Sequence, residues 1–190
     1  GHREVLDAAI AKTLEEARKN GTLARAPLTI NTTGSIEAAR ELAFPGKVLA
    51  DEKSNRLFTA DSNHNRIVVS TLPDAAGQSR VLATIGSGKE GTADGSFDGA
   101  EFHNPQGMAL VGNTLYIADT DNHLLRAADL ATSTVRTVSG TGKQGYDRRG
   151  GKAGTRQELA SPWALEYHER GNRLFIAMAG THQIWIYEPT

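Results

Sequence analysis

The chain has 190 residues, with 21 Lys and Arg against 22 Asp and Glu and a formal net charge of -1. Such a balance offers no whole-molecule field for a nucleic acid or an anionic membrane, and the lack of cysteine excludes thiol catalysis, disulfides, thiolate zinc sites and iron–sulfur clusters. The 20 glycines, set against 38% hydrophobic residues, favour many tight turns over long helices. No apolar run approaches the roughly 20 residues of a membrane span, and Gly1-His2-Arg3-Glu4 does not read as a signal peptide. A soluble chain is expected, its compartment left open.

Between Arg3 and Lys19, Leu6, Ile10, Leu14 and Ala17 recur at helical spacing, and Asn20-Gly21 supplies a stop. One amphipathic helix is predicted, and no second comparable helix follows to receive its apolar face. Beyond Pro27 the sequence changes to short β-branched or alternating runs separated by Gly, Asn and Asp, an all-β pattern.

Three segments of that region repeat. The first contains Phe44-Pro45-Gly46, then Arg56-Leu57-Phe58-Thr59-Ala60-Asp61, then Asn65-Arg66-Ile67. The second contains Asn104-Pro105-Gln106, Thr114-Leu115-Tyr116-Ile117-Ala118-Asp119 and His123-Leu124-Leu125. The third contains Ser161-Pro162-Trp163, Arg173-Leu174-Phe175-Ile176-Ala177-Met178 and His182-Gln183-Ile184. Asp61 lies 58 residues before Asp119, which lies 59 before Met178. Each unit offers three strands, and the first two add a fourth, Arg80 to Ile85 and Thr134 to Ser139. A four-stranded unit in tandem is the blade of a β-propeller.

The blades resemble NHL repeats. Asp119-Thr120-Asp121-Asn122-His123-Leu124 fits that pattern, Asp61-Ser62-Asn63-His64-Asn65-Arg66 carries His and Asn in exchanged order, and the third copy has Met178 for Asp and Thr181 for Asn. The long leaders with Asp94-Gly95-Ser96-Phe97 and Ala100-Glu101-Phe102 further resemble the subgroup in which an NHL propeller follows a thioredoxin-like domain. The resemblance implies an all-β fold: a partial propeller of three blades, at about 44–86, 102–140 and 159–187, within residues 27–190. Residues 1–26 would be helix and linker, the tail of an upstream thioredoxin-like domain. Without cysteine no oxidoreductase activity carries over. Closed propellers need at least four blades and six is usual for this resemblance, so either the chain is a fragment or copies associate. Leu28-Thr29-Ile30 is placed to be an outer strand, and two three-blade copies would make six as a homodimer.

A residue repeated in every blade builds the blade more readily than it serves one substrate. Asp61 and Asp119 each end a strand, where a carboxylate accepts N–H bonds from the following turn. Asn65, His123 and His182 occupy equivalent turns, and around an axis His123 and His182 form the weak candidate for a divalent metal; no cofactor is otherwise expected. Meander geometry puts these turns on one face together with the connections 86–104 and 140–161, the first richer in acids and the second in bases. Gly86-Ser87-Gly88-Lys89 and Gly140-Thr141-Gly142-Lys143 lack the strand–loop–helix setting of a phosphate loop, and Asp94-Gly95-Ser96-Phe97-Asp98-Gly99 lacks the distal Glu of a calcium loop. Candidate binding-face residues are His64, His103, Asp121, His123, Tyr146, Arg148, Arg149, Trp163 and His182, with core packing the expectation for Trp163, which heads an innermost strand.

No nucleophile elbow or His-Glu-x-x-His motif is present. The expectation is a non-enzymatic module whose loop-rich face takes a protein, peptide or small ligand. A metal-dependent hydrolase or lyase at the propeller axis is the alternative, and RNA binding through the loop from Lys143 to Arg156 is third. No membrane partner is expected.

Overall fold

The computed structural model describes residues 3–22 and 41–189. The chain divides into two compact units, residues 1–35 and 36–190. In the first, α1 (Arg3–Lys19) ends as the sequence predicts: Gly21 turns left-handed at φ 66° and the Thr22 N–H reaches back to the Ala17 carbonyl at 2.9 Å. Arg18 and Lys19 sit in the last turn, where positive charge complements the helix dipole. Leu6, Ile10 and Leu14 form an exposed apolar stripe.

The second unit is three antiparallel meanders. Strands β1 (Pro45–Asp51), β2 (Arg56–Asp61), β3 (Arg66–Ser70) and β4 (Val81–Ile85) form the first in that order. The short β5 (Gly95–Ser96) comes from the following connection and pairs outside the second blade, built of β6 (Pro105–Val111), β7 (Thr114–Asp119), β8 (Leu124–Asp129) and β9 (Thr134–Ser139). The third holds β10 (Pro162–His168), β11 (Arg173–Met178) and β12 (Gln183–Tyr187), with no fourth strand among the described residues. The partial all-β propeller and its missing outer strand are as expected, except that β5 makes the second sheet five-stranded. Leu28-Thr29-Ile30 lies outside the described residues.

Alternation along β7 explains why the blades stack. Leu115 and Ile117 point to one side, into a core with Phe58, Ile67, Ile85 and Phe102. Tyr116 and Ala118 point to the other, into a core with Leu159, Leu165, Leu174 and Ile176. Each apolar side chain buried this way contributes about 1.5–3 kcal/mol. The second blade is thus covered on both faces, while the first and third each pack one face against a neighbouring blade among the described residues.

The innermost strands approach closely at Gly107, where a Cβ would lie 2.6 Å from the Ala164 Cα and 2.8 Å from the Leu165 nitrogen. Gly107→Ala therefore forces two backbones apart. We expect a loss of about 1–3 kcal/mol in urea unfolding, the range of overpacking, whereas Gly112→Ala, which meets nothing within 4 Å but has φ 57°, tests backbone strain alone.

Candidate functional site

Each blade begins with a lead-in whose last residue is left-handed and precedes proline: Phe44 (φ 49°), Asn104 (φ 52°) and Ser161 (φ 48°). Asp61 and Asp119, fully buried, hold the lead-in of their own blade. The Asp61 Oδ1 accepts the Ala43 N–H at 2.6 Å, and the Asp119 Oδ1 accepts the His103 N–H at 2.8 Å. The carboxylates were expected to cap the turn that follows them; they reach back to the lead-in instead, because that segment packs beside the strand end with an unpaired N–H. The second oxygen of each takes side-chain donors, His64 Nδ1 and Arg66 Nε on Asp61 and Asn122 Nδ2 and Arg126 on Asp119, all within 2.8–2.9 Å.

Arg126 is the less legible member of this set. Completely buried, it also donates to the Ala93 and Glu101 carbonyls and to Asp94, and its guanidinium stacks 5.0 Å over the Phe102 ring. It thereby ties the connection 86–104 to the second blade. Burial pushes the Asp119 carboxyl up from its ordinary value, against the pull of the His103 N–H and of Arg126.

A second set of bonds crosses from blade to blade. The Asn104 N–H donates to the Asn65 Oδ1 at 2.9 Å and the Ser161 N–H donates to the His123 Nδ1 at 3.1 Å. Asn65 and His123 stand at equivalent left-handed positions, φ 50° and 55°. Alongside, the hydroxyls of Ser62 and Thr120 donate to the Pro105 and Pro162 carbonyls, both at 2.7 Å. His123 accepts through Nδ1, so it must be neutral there, and burial pulls its pKa down from the usual 6.5.

Of the nine candidate residues, the structure brings His103, Asp121 and His123 together. His103 lies between Glu90 (3.6 Å) and Asp121 (3.9 Å), and Asp121 takes the Asn104 side-chain N–H at 3.0 Å. His64 is committed to Asp61. Tyr146, at 77% exposure, and the exposed Arg148 and Arg149 lie on the connection 140–161, where the Arg148 carbonyl accepts from Gln183 beside His182. Trp163 corrects the core expectation: it is 43% exposed, because it heads the innermost strand of the blade whose outer face no described residue covers. With Ala177, Met178, His182 and Ile184 it lines a shallow hollow of about 320 Å³. His123 and His182 are not brought onto a shared metal site; among the described residues no three His, Asp or Glu side chains converge as one. Sequence reasoning missed a groove of about 660 Å³ on the opposite face, lined by the β1–β2, β6–β7 and β10–β11 hairpins with Asp51, Lys53, Arg56 and Glu166. The β1–β2 and β10–β11 hairpins turn alike, through Glu52–Ser54 and Glu169–Gly171 to a left-handed Asn55 and Asn172, but the β6–β7 hairpin between them is a two-residue turn and breaks the repeat.

Three twisted meanders stacked face to face, each sealed by a strand-end residue and a left-handed turn, define a run of β-propeller blades. Residues 102–127 match the NHL repeat family model, an NHL repeat within a run of propeller blades. It is 38% identical over 191 residues to NHL repeat-containing protein 2 of Bos taurus, covering 97% of this chain and 26% of that protein. It is 42% identical over 193 residues to Protein SUPPRESSOR OF QUENCHING 1, chloroplastic, of Arabidopsis thaliana, covering 98% and 18%. The chain therefore spans about a quarter or less of these relatives. Among solved structures, an auxiliary nutrient binding protein from Bacteroides ovatus superposes with TM-score 0.62 at 19% identity over 74% of this chain and 37% of that one. A chain of a nidogen–laminin complex superposes with TM-score 0.53 at 20% identity over 79% and 46%. At those identities the likeness is one of fold. Among the described residues no helix is long and apolar enough to cross a membrane.

Two outcomes check the geometry. Arg126→Leu leaves Asp119 buried without its cation and is expected to cost about 3–5 kcal/mol in denaturant unfolding, with Asp119→Leu in the same chain restoring part of the loss. His123 has a depressed folded pKa, so its neutral form is stabilising above the unfolded value of 6.5, and that stability is lost as pH falls from there through the folded value. Melting at pH 7 and pH 5 should show a drop in the native chain and a smaller drop in His123→Asn, which substitutes the side chain that does the same work at residue 65.

Proposed function

We propose that this chain is an interaction module without catalytic chemistry, using its loop-rich face to bind a protein or peptide. NHL propellers generally serve protein interaction. The observation that carries the reading is the fate of the polar groups. Asp61, Asp119, Asn65, His123 and Asn122 are engaged in holding lead-ins and neighbouring blades. On the same face Glu90 and Asp121 stay exposed on one side, and Tyr146, Arg148 and Arg149 on the other. A face with both charge signs and an exposed aromatic suits a folded or extended polypeptide whose charges answer each lobe.

A metal-dependent hydrolase or lyase is the alternative, and RNA binding is third; the occupied Nδ1 of His123 argues against the first. By the same resemblance we assign residues 1–26 to the tail of a thioredoxin-like domain and 27–190 to three propeller blades.

The test is a peptide array probed with the native chain and with Arg148→Glu/Arg149→Glu. We expect bound peptides rich in acidic residues and a fall of about five- to tenfold in the variant. Equal binding by both proteins removes the basic lobe from the site. Stoichiometric zinc in the purified chain, lost on His123→Ala/His182→Ala, favours the enzyme reading, and salt-sensitive retention of single-stranded RNA favours the third.

A further inference from the structure

We propose that residues 146–149 take a phosphorylated side chain of the partner polypeptide, and that Gln183 is the positioning residue that holds Arg148 out to meet it. This rests on the protein-binding reading above and narrows the partner to one chemistry.

Two glutamines brace this turn. Gln157, buried at 4% exposure, accepts the Lys152 N–H on Oε1 at 3.0 Å and donates through Nε2 to the Glu158 carbonyl at 3.0 Å and to the Asp147 Oδ2 at 3.4 Å. Asp147 in turn accepts the Arg149 N–H on Oδ1 at 2.9 Å and pairs with the Lys152 Nζ at 3.4 Å. From the third blade, Gln183 on β12 donates to the Arg148 carbonyl at 3.1 Å. Its amide can face only one way. The Trp185 indole N–H, a donor without an acceptor, takes the Gln183 Oε1 at 3.2 Å and leaves Nε2 for Arg148. Gly150 crosses the same indole, where a Cβ would lie 3.7 Å from the ring. The backbone that carries the two arginines is therefore already ordered, and a ligand binding there does not have to order it.

Charge makes the turn a site for an anion. Asp147 is the one acid between Tyr146 and Lys152, and both its oxygens are engaged within the connection. The Arg149 N–H holds its carboxyl below the usual carboxylate range. The side chains of Arg148 and Arg149 make no ion pair or hydrogen bond with a described residue, so two positive charges stay unanswered beside the exposed Tyr146. A carboxylate answers one of them. A phosphate monoester carries a charge of about −1.5 to −2 at neutral pH and three acceptor oxygens, which suits a pair of guanidinium forks. A nucleic-acid strand or a phosphorylated membrane surface brings phosphate along a line or a plane, and either meets the exposed Glu90 and Asp121 on the same face. Tyr146 is also the only aromatic residue between 140 and 161 on which a base could stack.

The probe is a degenerate peptide library with a fixed central phosphoserine, set against the same library with serine. The native chain should hold the phosphorylated library about tenfold more tightly, and less tightly as pH falls from about 7 to about 5.5 and the dianion takes up a proton. Arg148→Lys/Arg149→Lys keeps both charges but loses the forks, and should give up most of that preference. Gln183→Leu frees the Arg148 carbonyl without changing the charge. Its melting and the salt slope of binding should match the native chain, while affinity for the phosphorylated library falls about threefold and its pH dependence flattens. Native-like binding by Gln183→Leu removes that residue from its positioning role. Equal retention of the two libraries overturns phosphate recognition but leaves the binding of acidic peptides, and with it the interaction reading, intact; a blank peptide array as well removes both. Inorganic phosphate or phosphoinositide vesicles bound as tightly as the phosphorylated library overturn the assignment in favour of a free anion or a membrane.

Discussion

Everything in the propeller depends on one backbone N–H. The residue before the blade's first proline is left-handed, which turns its N–H away from the sheet ladder and toward the previous blade. A group so placed is buried among side chains and must be satisfied, and the left-handed acceptor on the preceding blade does this at 2.9 Å in one junction and 3.1 Å in the other. Asparagine is at ease in that conformation; histidine is less so. The burial of Leu115 and Ile117 on one side of β7 and of Tyr116 and Ala118 on the other supplies attraction without direction. The junction bonds supply the direction, fixing which blade follows which and in what register.

The long connections then find their purpose in the same scheme. More than half of the 20 glycines fall in residues 86–99 and 140–154, and the two phrases open alike with left-handed glycines, Gly86 and Gly140 near φ 105° and Gly88 and Gly142 near 80°. A Cβ at Gly140 would collide with the His123 carbonyl and Leu124, so the chain leaves the blade there only because that residue has none. Past this exit the first connection is held down by Arg126. Its acids are therefore partly spent: Asp94 is paired with Arg126 and bonds Thr137. The second connection has no such buried cation among the described residues, and its arginines remain exposed. Near-zero net charge conceals two connections that use charge differently, one for internal cohesion and the other at the surface.

The repeat was legible because the physics that builds a blade acts on residues close in sequence. The period-two strands, the left-handed turns and the strand-end aspartates all fall within about 30 residues, and the fourth strands at Val81–Ile85 and Thr134–Ser139 lie where their β-branched residues put them. What the sequence concealed was non-local. The carboxylates reach across 16 to 18 residues to the lead-in, and Arg126 reads as an ordinary strand-surface arginine until Asp94 and Asp119 are seen to converge on it from 32 and 7 residues away. Trp163 misled for a related reason: its strand is innermost, but burial there is decided by a neighbouring blade, not by the residue's own blade.

The third blade shows what happens when the scheme loses its central member. Met178 stands in place of the aspartate, and its side chain, 1% exposed, fills with sulfur and methylenes the space where the carboxylate would sit. The Ala160 lead-in keeps its carbonyl bond to Gly180 at 3.0 Å but has no carboxylate to receive its N–H. Thr181, at the position of Asn122, is left with a buried hydroxyl that finds no partner among the described residues, a cost comparable to a lost hydrogen bond. Substituting a hydrophobe for a buried, arginine-paired carboxylate removes the desolvation penalty of the charge, so the blade still packs against its neighbour through Leu174, Ile176 and Met178. It gives up the part of the design that orders its lead-in. Of the first and third blades, the third is thus the one whose strand end relies on packing alone, without what the aspartate and the serine or threonine hydroxyl supply elsewhere.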